Sequence, residues 1–201
     1  MVARALLGCV LVSRRAGALT AGRIVETEAY LGPEDAASHA AFRPASHALF
    51  YGAGGHAYVF LNYGVHHCLN AITGPVGEPG CVLLRALEPT LGLAIMARRR
   101  GVPPSPRLAS GPGNLTHALG VTLRDNGADL TQGPLVIVPA DRPRRFAVAR
   151  GPRVGITRSM DLPLRFWIAG HPSVSRPAPR LTATRVPAGA RGRTRSPRSS
   201  R

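Results

Sequence analysis

The sequence predicts a single domain in which strands and helices are mixed, and three observations support this. The chain has 201 residues, one domain by length and enough for one substantial core. Arg23 to Tyr30, Ala57 to Thr73 and Gly80 to Pro89 are rich in β-branched, aromatic and aliphatic residues and read as strands. Thr90 to Arg100 has the pattern of an amphipathic helix, and a second helix follows a glycine-rich turn and runs through Leu119.

In chain order, Ala3 to Leu7 reads as the end of a helix closed by Gly8, and Cys9 to Val12 as a strand. Ser13 to Gly17 should turn the chain so that this strand pairs with the next. Along Arg23 to Tyr30, strict alternation puts Ile24, Glu26, Glu28 and Tyr30 on one face and Val25, Thr27 and Ala29 on the other. Gly32-Pro33 ends the strand, and Glu34-Asp35 should start a short helix whose positive end they neutralise. His39 lies about one turn further on, followed by a loop over Phe42 to His47. Ala57 to Gly64 and Val65 to Thr73 form two adjacent strands around a Tyr63-Gly64 turn. Gly80 to Pro89 is a buried strand with one arginine, Arg85, among aliphatics. Arg98-Arg99-Arg100 reads as a solvated helix end. Ser110-Gly111-Pro112-Gly113 leads into the second helix with a geometry able to present N–H groups to a phosphate. Leu135 to Val138, Arg153 to Thr157 and Leu164 to Ala169 read as later strands.

The formal net charge is +16 and the isoelectric point near 11.7, which points to a polyanionic partner. Every one of the 26 cationic side chains is an arginine, so no side-chain amine exists to form a Schiff base. Cys9, Cys68 and Cys81 show no paired spacing and read as reduced core thiols of a cytoplasmic protein, with neither zinc nor disulfides. No signal-peptide pattern or membrane-spanning apolar run is present. Residues 176–201 are Arg/Pro/Ser-rich and hold eight of the arginines but none of the ten carboxylates. This segment reads as a disordered basic tail beyond a domain spanning residues 1–175.

Two buried carboxylates on one strand face are costly unless paired or used. Glu26 or Glu28 could each be a structural partner of an arginine or a catalytic group, and spacing alone leaves the choice open. Arg85 in its apolar strand needs an anion, with Glu28 the obvious candidate. Tyr63 at a turn tip is either packed on a neighbouring loop or touches a partner, and Asn70 alone reads as a satisfied core amide. His66 and His67 point to opposite sides of a strand and cannot form a metal pair; with His56 they are read as structural or surface residues. A glycan hydrolase could use Glu26 and Glu28, since residues two apart on a strand lie roughly 6.5–7 Å apart. The basic charge and the single tryptophan argue against it. A non-catalytic nucleic-acid binder would need only the arginines and aromatics.

Arg23-Ile-Val-Glu-Thr-Glu-Ala-Tyr-Leu-Gly-Pro-Glu-Asp35, followed by Ser38-His39, resembles the signature of the alkyladenine (3-methyladenine) DNA glycosylase family. The likeness continues through Tyr58 to Asn70, Gly80 to Pro89, Gly111-Pro112-Gly113 and Arg153-Val-Gly-Ile156. It covers nearly all of Ala3 to Ser175. The resemblance implies an α+β fold, a single mixed domain with a curved, mainly antiparallel β-sheet and surrounding helices. It implies a base-excision repair enzyme that flips damaged purines out of double-stranded DNA and hydrolyses the N-glycosidic bond. By that resemblance Glu28 is the general base, Arg85 orients it, and Val154 offers a carbonyl to the catalytic water. Tyr30, His39 and Phe60 stack on the flipped base, Asn70 crowds a normal guanine, and Tyr63 fills the vacated stack. No cofactor or metal is implied, and the enzyme is expected to be a monofunctional, nucleoid-associated monomer. Three departures stand out: Phe60 where the family usually has tyrosine, Asn114 where lysine is common, and a shorter loop after His39 without Thr-Pro-Arg.

Overall fold

In the computed structural model, residues 1–15, 17–141 and 145–175 are described. The expected basic tail lies outside them. A short helix, α1 (Val2–Ala5), leads into strand β1 (Val10–Arg15), which does not turn at Ser13 but continues to Arg15. Ser13 can stay in the strand because its buried hydroxyl donates to Leu119 O at 2.8 Å. The long strand β2 (Ala18–Tyr30) then pairs antiparallel with β1, Val10 opposite Arg23.

After β2 the expected helix at Glu34-Asp35 does not form. The Asp35 carboxylate accepts from the Leu31 and Ala37 amides and pairs with Arg153, local bonds that displace a helical turn. The helix α2 (His39–Phe42) starts later, capped by Ser38, whose hydroxyl accepts from the Ala40 amide. The expected loop over Phe42 to His47 is partly wound: a 3₁₀ turn at Pro44–Ser46 runs into α3 (His47–Phe50).

The hairpin of β3 (Ala57–Asn62) and β4 (His66–Ile72) forms as the sequence predicts. Next come β5 (Cys81–Leu91) and α4 (Leu93–Arg100), so strand persists through the predicted start of the helix. Gly92 makes the switch: its φ is +75°, and a Cβ there would collide with the Leu19 carbonyl oxygen. Arg98 alone of the three terminal arginines is exposed; Arg99 donates to Ala118 O and Arg100 to Leu108 O, each at 3.1 Å. Helix α5 (Pro112–Leu119) follows, then β6 (Leu135–Val138), β7 (Val148–Gly151) and β8 (Arg165–Ile168). The predicted strand over Arg153 to Thr157 is absent. Arg153 turns inward to Asp35, the Val154 amide is spent on Glu28, and Gly155 has a φ of +77°.

The strands run in the order β3-β4-β5-β2-β1-β6, with β8 also on β2 and β7 on β8, and each of these pairings is antiparallel. The sheet curls into an antiparallel half-barrel in a single α+β domain. One face carries Leu69, Ala71, Val82 and Leu84 into the main core with Met96, Leu115 and Leu119. The other carries Tyr58, Phe60, Asn70, Leu83 and Arg85 toward a pocket. Strict alternation fails in β2 itself. Register shifts against β5 on either side of Glu26 leave Ile24 in the main core with Ala29, while Glu28 and Tyr30 serve the pocket side. All three cysteines are free, and Cys68 and Cys81 are buried. Among the described residues no helix is long and apolar enough to cross a membrane.

Candidate active site

The stretch of β2 holding the two glutamates is bonded on both edges, to β5 on one side and β8 on the other. This double pairing puts both carboxylates in the middle of the sheet, with no exposed surface. Glu28 collects three donors from three parts of the chain. The Val154 amide donates to Oε1 at 2.7 Å, the Tyr30 hydroxyl to Oε2 at 3.1 Å, and Arg85 Nη1 to Oε2 at 3.3 Å. Burial pushes its carboxyl above the usual carboxylate range, and the charge of Glu26 adds to the rise; Arg85, the amide and the phenol pull the other way. Burial and the neighbouring Glu28 push the Tyr30 phenol well up, which keeps its proton in the hydrogen bond.

Arg85 meets both glutamates rather than Glu28 alone. Its Nε lies 2.9 Å from Glu26 Oε1, closer than Nη1 lies to Glu28. Burial works against the guanidinium charge, but the two carboxylates outweigh it and hold the arginine protonated. Glu26 also accepts from Arg165 Nε at 2.7 Å, from the Ser175 amide at 2.6 Å and from the Ser175 hydroxyl at 2.9 Å. So many donors anchor Glu26 firmly, and the arrangement does not resemble two carboxylates free for acid–base work.

A pocket of about 540 Å³ opens beside this cluster, lined by Tyr30, His39, Phe60, Asn70, Arg85 and Val154 among others. Glu28 is not one of the lining residues; it sits directly behind three that are. The His39 and Phe60 rings approach to 4.5 Å between centroids, tilted by 59°, and Phe60 stacks on Tyr58 at 5.4 Å. His39 Nδ1 lies 2.7 Å from the Tyr58 hydroxyl. Burial, aided by Arg43, lowers the His39 pKa to about 4, so the ring is neutral near pH 7. Asn70 is both a core amide and a pocket residue: its Nδ2 donates to Tyr58 O at 3.0 Å. Tyr63 stands on the β3–β4 hairpin at the pocket rim, 84 % exposed and with a φ of +49° beside Gly64 at +68°. His66 is exposed and His67 half-buried, and among the described residues no cluster suited to a metal ion occurs.

Every residue singled out from sequence as a site candidate therefore lies in or against one pocket. Sequence reasoning missed Arg153, Arg165 and Ser175. Arg153 pairs with Asp35 in full burial, donates to Ala29 O at 3.0 Å, and lies 4.6 Å from the Tyr30 ring centroid. That links the turn at residues 31–38 to the loop at residues 153–158, both of which contribute to the pocket wall. Arg165 carried the signal that marked Arg85, an arginine inside an apolar strand. Ser175 carried none.

A family model described as methylpurine-DNA glycosylase (MPG) matches residues 1–172. A protein of Methanoculleus marisnigri, named provisionally as a 3-methyladenine DNA glycosylase, is 48% identical over 178 residues, covering 87% of this chain and 92% of its own. A Koribacter versatilis protein with the same provisional name is 50% identical over 181 residues and covers 87% of each chain. One from Corynebacterium efficiens, again so named, is 45% identical over 177 residues, covering 87% of this chain and 90% of its own.

Proposed function

This chain belongs to the methylpurine-DNA glycosylase family, and from that membership we propose that it removes alkylated or deaminated purines from duplex DNA, leaving an abasic site. The damaged nucleotide leaves the stack and enters the pocket, at an unstacking cost of a few kcal/mol that is least for a lesion. Tyr63, a large ring on a narrow exposed hairpin, takes the vacated space. Tyr30, His39 and Phe60 offer aromatic faces to the base. Many alkylated purines are cationic, so the Tyr30 and Phe60 faces each add ~0.5–2 kcal/mol of cation–π attraction. A neutral His39 suits this, because an imidazolium would repel such a base. Asn70, pinned to Tyr58 O, crowds the exocyclic amine of guanine.

Glu28 acts as the general base. A water oxygen bonds to C1′, its proton passes to Glu28, and the N-glycosidic bond breaks with its electron pair going to the departing base. The carboxylate charge also stabilises the oxocarbenium-like sugar. The Val154 amide, Arg85 and Tyr30 fix the carboxylate's orientation, and the Val154 carbonyl helps hold the water. With no lysine in the sequence, the enzyme is monofunctional and leaves the strand intact.

The observation that carries this reading is the convergence of three donors on one buried carboxylate directly behind a pocket with aromatic walls. The test is base release from alkylated duplex DNA by the wild-type chain and by Glu28→Gln. The variant should lose release by at least ~10²-fold while still binding an abasic-site duplex. Release at the wild-type rate by Glu28→Gln would assign the chemistry elsewhere.

A further inference from the structure

β2 delivers two carboxylates to one arginine, and only Glu28 has contacts with pocket residues on either side of that arginine. A guanidinium normally offers a carboxylate two parallel N–H groups. Here the fork is divided three ways: Nε to Glu26 at 2.9 Å, Nη1 to Glu28 at 3.3 Å and Nη2 to the Ser175 hydroxyl at 3.2 Å. We propose that Glu26 is a positioning residue that holds Arg85 edge-on to Glu28, so that Glu28 keeps the electron density a general base needs. This rests on the reading of Glu28 as the base.

Glu26 is suited to the task because it is itself anchored. Arg165 from β8 and both donors of Ser175 grip it at 2.6–2.9 Å, so it cannot follow Arg85 if the arginine moves. The shorter of the two bonds lies on the Glu26 side. Without Glu26, Arg85 would be free to close its fork on Glu28. A bidentate guanidinium would hold Glu28 ionised and make it a poor proton acceptor. The other charged or titratable groups that face Glu28 include Tyr30 on its own strand, Arg153 from the pocket loop, Cys68 on β4 and, opposite Glu28 in register, Arg165 on β8. Burial and the charge of Glu26 raise the proton affinity of Glu28, and Arg85 lowers it. Neutralising Glu26 therefore acts twice in the same direction, by removing a repulsive charge and by releasing the arginine.

The experiment is the pH profile of single-turnover base release from alkylated duplex, compared on one substrate for wild type, Glu26→Gln and Glu26→Asp. Glu26→Gln should move the acid limb to lower pH and reduce the plateau roughly threefold to tenfold, as expected of a weaker base. Glu26→Asp, which keeps the charge, should return the limb toward wild type. If Glu26→Gln does not fold, Glu26→Gln combined with Arg165→Gln removes one charge of each sign and takes its place; the loss of the Arg165 cation offsets part of the electrostatic effect, so a smaller downward shift is expected, carried by the release of Arg85. A limb that stays in place or moves up in the folded variant overturns the inference and leaves Glu26 a purely structural anion. Glu28→Gln, run alongside, separates the two ideas: if it retains release, the reading of the base is what fails.

Discussion

The backbone amide of Val154 donates to Glu28 Oε1 at 2.7 Å, the shortest of the three hydrogen bonds that the carboxylate accepts. A main-chain group on a loop thus aims the proposed base, and the Val154 side chain is incidental to the contact. Val154→Ala should keep base release within a few-fold of wild type. Val154→Pro has no N–H to give and should lower single-turnover release about 10²-fold, the scale of a misplaced catalytic group. Equal behaviour of the two variants would show that the amide does not matter.

Asp35 and Arg153 form a fully buried pair that ties the turn after β2 to the pocket loop. Breaking such a pair from one side costs about 3–5 kcal/mol, so Asp35→Asn should lower the melting temperature sharply. Burial would raise the Asp35 carboxyl, but the bonds from Arg153, Leu31 and Ala37 outweigh it and hold it below its usual value. A depressed carboxylate stabilises the fold above its unfolded pKa, and that contribution is lost as pH falls through the folded one. Acid unfolding of the wild type should show this loss at the low end, and Asp35→Asn should lack it.

His39 contributes to a second pH window, in which His117 and His171, also lowered by burial, act in the same direction. The His39 pKa falls to about 4 in the folded protein from the usual 6.5, so the unfolded chain binds the extra proton between those values. Stability should therefore decline as pH drops from 6.5 toward 4. His39→Gln should flatten that part of the curve in denaturant titrations, and an unchanged slope would show that His39 titrates alike in both states.

The segment after Ser175 holds eight arginines and no carboxylate. Lying along DNA, each phosphate it neutralises steepens the slope of log affinity against log salt by ~0.9. Deleting residues 176–201 should flatten the slope by several units and weaken lesion and undamaged duplex about equally. Single-turnover release at saturating enzyme should hardly change. Parallel salt lines for the two proteins would mean that the tail makes no DNA contact.

The strands of the site were legible because their sequences carry a two-residue period and a turn signal, as in Tyr58 to Asn70. The role of Arg85 was half legible: an arginine in an apolar strand demands an anion, but periodicity could not say that it would divide itself between Glu26 and Glu28. The face of Ile24 was misread because two register shifts interrupt the alternation, and nothing in a single strand's sequence announces how its partner slips. The Arg153–Thr157 stretch has strand composition, yet its backbone and side chains are committed to Glu28 and Asp35, partners more than a hundred residues away. Those long-range polar contacts override local propensity, and they are the part of the site that only the folded chain reveals.

Tyr63 sits at a positive φ that favours glycine, and its ring is almost wholly in solvent. A bulky side chain in that conformation costs about 1–2 kcal/mol. The isolated fold gains nothing visible from it, since a glycine would relax the turn and remove an exposed ring. If Tyr63 fills the vacated stack as proposed, heat resistance and repair pull this one position in opposite directions. A programme that selects variants by thermal survival alone would drift toward glycine or asparagine here and, on the proposed reading, produce sturdier proteins without the wedge that holds a duplex open.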